Sequence, residues 1–154
     1  MKKSVIIFIL GISILSCQSE NRIYNEHKEL SPQVEWLKKD IRTFEVPIEN
    51  TDQKYDMSLS FRYAEGFPYK TMKVNVTEKS PSGKESTKEY ELKVIDENGE
   101  HVGEVSLDIW DSEHLIETDK TYNEKGKYTY TIEHAMPTDP VGAVMEIGVI
   151  LDKK

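Results

Sequence analysis

The chain contains one cysteine, Cys17, among 154 residues. No disulfide can close within a single molecule, and a lone thiol is an odd choice for an exported protein unless modification consumes it. The sequence has no Gly-x-Ser-x-Gly elbow, no phosphate-binding P-loop and no HExxH, so nothing points to a serine hydrolase, a nucleotide site or a zinc protease, and no cofactor is implied. It has no excess of positive charge. The formal net charge is −8, and an acidic surface repels phosphate backbones, which makes nucleic acid an unsuitable partner. There is also no polybasic run to act as a second anchor on anionic lipid. Past the first fifteen or so residues no apolar run is long enough to cross a bilayer. Long helical periods, internal repeats and low-complexity tracts are all missing.

What is present begins at the N-terminus, MKKSVIIFILGISILSCQSE. Lys2 and Lys3 are followed by an apolar run over 5–15, about half of the roughly twenty residues a spanning helix needs. This is the layout of a secretory signal. Ile14-Leu15-Ser16-Cys17 resembles a bacterial lipobox, where a lipoprotein is acylated on cysteine and cleaved just before it. The expectation is a leader over 1–16 and a bilayer anchor at acylated Cys17. A single acyl chain anchors only marginally; the several chains of a lipoprotein make release negligible. Residues 18–29 are polar and without period, and are expected to be a tether. Over 31–37, Ser31 as cap and Pro32 at the first helical position predict one or two helical turns, with Trp36 and Leu37 plugging into the core. Residues 17–39 extended would reach at most about 70 Å, enough to hold a domain clear of the head groups.

From residue 40 the period is two. Phe44, Val46 and Ile48 alternate with polar residues. So do Met57, Leu59, Phe61 and Tyr63, then Met72, Val74 and Val76, then Tyr90, Leu92 and Val94. A strand over 101–110 is expected to turn Val105, Leu107 and Ile109 inward and leave Trp110 toward water. Residues 111–120, polar apart from Leu115 and Ile116, look like a crossing loop or a short irregular strand. Strands over 127–136 and 143–151 follow, the second with Ala143, Met145, Ile147, Val149 and Leu151 in one phase. Asn98-Gly99, residues 80–84 and residues 123–126 are turns by composition. About seven or eight short strands with one wet face predict an all-β, antiparallel β-sandwich over 40–152, jelly-roll or immunoglobulin-like.

Few residues are suited to chemistry. His134 falls in phase with Tyr128, Tyr130 and Ile132, which suggests a strand-end histidine bonded to backbone or to a carboxylate; a zinc ion would need three or four ligands. Asp108, Asp111, Glu113 and His114 form an acidic cluster without the spacing or glycine of an EF-hand. Residues 96–100 form a turn first and a metal loop a distant second. An exposed Trp110 on a sandwich would be a platform for a carbohydrate or other ligand, an alternative to a protein-contact role. A hydrolase would rest on isolated acids and histidines alone.

The last third of the chain resembles a known family. Gly126-Lys127-Tyr128-Thr129-Tyr130-Thr131-Ile132-Glu133-His134-Ala135-Met136 is similar to the GldH-type gliding-motility lipoproteins of Bacteroidetes, in which a Gly-x-Tyr strand runs into a His-Ala-Met segment. A final strand with an internal glycine follows, here Glu146-Ile147-Gly148-Val149-Ile150-Leu151. Tyr24-Asn25-Glu26, and Trp36 followed by Asp40 and Phe44, fit the same outline. The resemblance implies a non-enzymatic outer-membrane lipoprotein; Glu20 alone behind the cysteine is a weak version of the acidic surface-export signal of some Bacteroidetes lipoproteins, so the periplasmic face is the expectation. The resemblance also implies protein contacts with other envelope components of the gliding apparatus and the linked type IX secretion system.

Overall fold

The structure, a computed structural model, describes residues 21–154; the leader and Cys17 lie outside them. The described residues contain no helix. Eleven strands follow in order: β1 (Arg22–Glu29), β2 (Glu35–Trp36), β3 (Arg42–Ile48), β4 (Tyr55–Ala64), β5 (Thr71–Lys79), β6 (Glu85–Lys93), β7 (Glu104–Ser106), β8 (Ile109–Lys120), β9 (Gly126–His134), β10 (Val141–Gly142) and β11 (Val144–Lys153).

They form two facing antiparallel sheets. One has the order β1-β11-β4-β8-β7, the other β3-β9-β5-β6, and β2 and β10 make a small ribbon. Counting only the eight long strands, first pairs with last (β1 with β11), second with seventh (β3 with β9), third with sixth (β4 with β8), and fourth with fifth (β5 with β6). Such a nest of pairs, wound over itself, is a jelly roll. Of the two sandwich topologies the pattern allowed, the jelly roll is the one formed.

The core is supplied by the residues whose alternation is cleanest. Met57, Leu59, Phe61 and Tyr63 from β4 face Met72, Val74, Tyr128, Tyr130 and Ile132 from the other sheet, all buried. Burying a side chain of this size stabilises by about 1.5–3 kcal/mol relative to leaving it in water, which is why these strands are so legible. Outer strand β6 instead carries ESTKEYELK, mostly exposed; charge along an edge discourages pairing with another chain.

Four expectations are corrected. Arg22–Glu29 is not a tether but β1, laddered to β11 from Arg22↔Asp152 to Glu29↔Glu146. Its inward positions are Tyr24, Glu26 and Lys28, so backbone hydrogen bonds rather than apolar burial hold it, and no hydrophobic period betrays it. Ser31 does cap a turn, accepting from the Gln33 N–H at 3.1 Å, but Val34 then takes φ 55° and the chain enters β2, not a helix. Trp36 is fully buried there, as expected.

The third correction concerns 101–120. The chain reverses at Leu107-Asp108, between paired Ser106 and Ile109, so the phase of the supposed strand breaks at its middle. Val105 and Leu107 are 60% and 96% exposed. Of the two readings of 111–120, the irregular strand is the one formed: the segment is most of β8, a strand of the five-stranded sheet whose pattern is weak because Ser112 and His114 point inward opposite Phe61 and Leu59. Fourth, a bulge between Val144 and Glu146 shifts β11: Val144, not Ala143 or Met145, is buried, while Ile147, Val149 and Leu151 face inward as expected.

Candidate functional site

His134 ends β9 and is completely buried. Its Nδ1 accepts from the Met136 N–H at 3.4 Å, its ring lies edge-on to Trp36 at 5.7 Å, and its Nε2 sits 3.7 Å from Asp139 Oδ1. Burial lowers its pKa, and the attraction of Asp139 only partly opposes this. The neutral ring therefore packs under the loop before β10, where Asp139 also accepts from the Lys38 N–H at 2.9 Å. His134, Trp36 and Asp139 thus join β9, β2 and that loop.

Trp110 opposes Tyr63 on the inward face of its sheet. The indole is half-buried, stacked on His101 at 4.2 Å and on Tyr63 at 5.8 Å. The indole is thus not left toward water as expected; Leu115, on the other face of the strand, is the exposed side chain here, at 60%.

The acidic cluster is dispersed by the pleat. Asp111 and Glu113 face outward and are taken by Arg62 and Arg22, while His114 turns inward to Ser112 Oγ at 2.9 Å. Its burial pushes its pKa down to about 4. Among the described residues no group of three or more His, Cys, Asp or Glu is placed to hold a metal ion.

What pattern did not reveal is a cleft of ≈ 720 Å³ on the outer face of the five-stranded sheet. Its floor is made of small or short side chains. Ser60 bonds His27 Nδ1 at 2.8 Å, and Gly148 lies opposite both residues. Two arginines stand at its rim, each bridging carboxylates from different strands. Arg22 reaches Asp152 at 3.0 Å and Glu113 at 2.9 Å; Arg62 reaches Asp111 and Glu146, both at 2.6 Å. Among the described residues no carboxylate is bonded to the His27 imidazole, as a catalytic triad would need; the Ser60–His27 bond ties β4 to β1. The serines of β4 and the glycine of β11 were the available signal: small residues on the supposedly wet face of central strands.

Gly148 permits this floor. A Cβ there would lie 2.2 Å from Ser60 Oγ, 2.7 Å from the Glu26 carbonyl oxygen and 2.9 Å from His27 Nδ1. Gly148→Ala is therefore expected to destabilise the fold by about 1–3 kcal/mol, as overpacking does. Gly142→Ala, with open space around its Cβ, serves as the control. Urea unfolding followed by circular dichroism measures both; equal midpoints would contradict the packing argument.

The profile of the GldH lipoprotein family matches residues 22–151. The chain belongs to the GldH lipoprotein family. The match opens on the first residue of β1 and ends within β11, so the segment expected to be a tether is part of the family's common body. A relative from Christiangramia forsetii, described as a gliding motility lipoprotein GldH homolog, is 27% identical over 150 residues, covering 97% of this chain and 91% of the relative. The gliding motility lipoprotein GldH of Flavobacterium johnsoniae is 26% identical over 136 residues, covering 88% of this chain and 82% of that protein. No solved structure matches the chain. Within the GldH family outline noted in the sequence, the His-Ala-Met segment is where β9 ends under Trp36, and the glycine of the last strand is the floor of the outer cleft.

Proposed function

We propose that this GldH-family protein is a non-enzymatic lipoprotein of the outer membrane, facing the periplasm, that supports gliding motility and linked type IX secretion through protein–protein contacts. The family match across all eight long strands carries the reading, together with two relatives that are both named gliding motility lipoproteins. The lipobox at Cys17 supplies the anchor. The tip of the β7–β8 hairpin supplies apolar surface for contact: Leu107 holds a left-handed φ of 60° while almost fully exposed, a costly arrangement for a leucine in a free surface turn.

Deleting the gene is expected to abolish colony spreading and reduce secretion of type IX cargo, and Cys17→Ala is expected to abolish palmitate labelling and fail to restore either. Normal spreading and normal secretion in the deletion strain would remove the proposal. The acidic balance of the chain speaks against nucleic acid as a partner.

A further inference from the structure

The described chain begins at Asn21, and β1 begins one residue later. Four peptide units separate Asn21 from Cys17, and fully extended they reach at most about 14 Å. The tether that would hold a domain clear of the bilayer is therefore too short to do so. Resting on the proposed lipidation of Cys17, we infer that one pole of the jelly roll lies against the lipid head groups and the opposite pole projects away.

The near pole is defined by what surrounds Asn21. Its carbonyl accepts from the Lys153 N–H at 2.8 Å, and the Lys154 N–H donates to the Lys54 carbonyl at 3.0 Å. This joins the start of β1, the end of β11 and the β3–β4 loop. The β5–β6 and β8–β9 turns share the pole, tied by Ser82 Oγ to Glu124 at 2.7 Å. Ile23, Pro47, Glu49 and Lys153 border a cleft of ≈ 380 Å³ at the start of β1, and Ile23 is exposed, so exposed apolar surface beside one charge of each sign stands where lipid would be.

Charge is divided along the same axis. At the near pole Asp56 and Asp119 are paired with Lys154, and Glu85 with Lys79. Lys84, Lys125 and Lys153 remain to balance Glu49, Asp52 and Glu124. At the far pole Glu97 is paired with Lys93, and Asp40, Glu65, Asp96, Glu100, Asp108 and Asp139 exceed Lys38, Lys39 and Lys70, so the surplus of negative charge stands away from the anchor. Each lysine close to an anionic leaflet strengthens attachment on the order of fivefold, and carboxylates are repelled there. The field of an anionic membrane thus favours the orientation that the short chain imposes. β1 alone spans about 27 Å at ordinary strand rise, so the two poles differ in height by several Debye lengths.

The test uses full-length protein purified from its own envelope and reconstituted in vesicles of phosphatidylethanolamine and phosphatidylglycerol carrying a head-group nitroxide. A fluorophore is placed through Asn123→Cys at the near pole or Asn98→Cys at the far pole. Strong quenching at position 123 and at least threefold less at position 98 is the expected result; equal quenching of an acylated chain overturns the pole assignment alone. Mass spectrometry of the same sample reports acylation of Cys17, and an unmodified chain that does not float with vesicles removes both the anchor and this inference. The triple variant Lys84→Glu, Lys125→Glu, Lys153→Glu, with unchanged circular dichroism, is expected to halve the quenching at position 123. No change there would overturn the electrostatic part.

Discussion

Trp36→Ala is expected to lower the unfolding free energy by about 3–5 kcal/mol, the usual cost of deleting a large buried aromatic. The indole is completely buried, and its Nε1–H donates to the Asp40 carbonyl at 2.8 Å. It is the edge-on neighbour of His134 and lies directly opposite Val141 in a ribbon only two residues long on each side. That ribbon has too few backbone hydrogen bonds to persist by itself. Losing the indole should therefore do more than open a cavity: it should free the 30–41 crossing that links β1 to β3. Hydrogen exchange is expected to accelerate in 31–40 and 137–142 well before global unfolding, whereas Trp36→Phe should cost less and keep those segments protected. A loss confined to the global transition, with local protection intact, would mean the ribbon stands on its own.

The same ribbon shows what sequence pattern conveys and what it does not. His134 was legible as inward because it ends a run whose phase is clean, and Trp36 was legible as a plug from its size and place, although the helical turns expected around it do not form. The strands that supply most of the apolar interior, β3, β4, β5 and β9, announce themselves because burial of every second side chain leaves a period of two. β1 and β8 do not. The inward residues of β1 include Glu26 and Lys28, with the Lys28 ammonium 5.2 Å over the Phe44 ring, and β8 turns Ser112 and His114 inward. In both cases main-chain ladders and polar contacts replace apolar burial, and alternation vanishes. The pairing of the strands was not legible either. A local period says that a segment is a strand, but nothing in it says that Tyr63 will meet Trp110 or that Arg22 will meet Asp152, 130 residues away. The outer cleft needed that knowledge, since its floor and rim come from β1, β4, β8 and β11 together. The reach of the anchor depended on it too: once Arg22–Glu29 is a strand, a flexible stalk becomes a short link.

Lys120→Met is expected to cost about 2–4 kcal/mol at pH 7, and the cost should shrink as the pH falls. Lys120 Nζ lies between two carboxylates, 2.7 Å from Glu78 and 2.5 Å from Glu117, with all three side chains largely covered. Glu117 also accepts from Tyr90 OH at 2.7 Å and from Lys88. Burial alone would raise its pKa, but the hydrogen bonds from Lys120, Lys88 and Tyr90 outweigh that and hold it down to about 2. A carboxylate depressed in the folded state contributes stability above its unfolded value near 4.3 and loses it as the pH falls toward its folded value. Methionine keeps the packing of the lysine stem but leaves two half-buried carboxylates facing one another, the situation in which breaking an ion pair is most costly. Protonation relieves that repulsion, so the stability gap between the two proteins should be widest near neutrality and narrow toward pH 3. His114, whose pKa burial lowers to about 4, destabilises both proteins as the pH drops from about 6.5, and therefore cancels in the difference. Urea denaturation of both proteins at pH 7, 5 and 3 measures it; a gap independent of pH would show that Lys120 acts by filling space rather than by its charge.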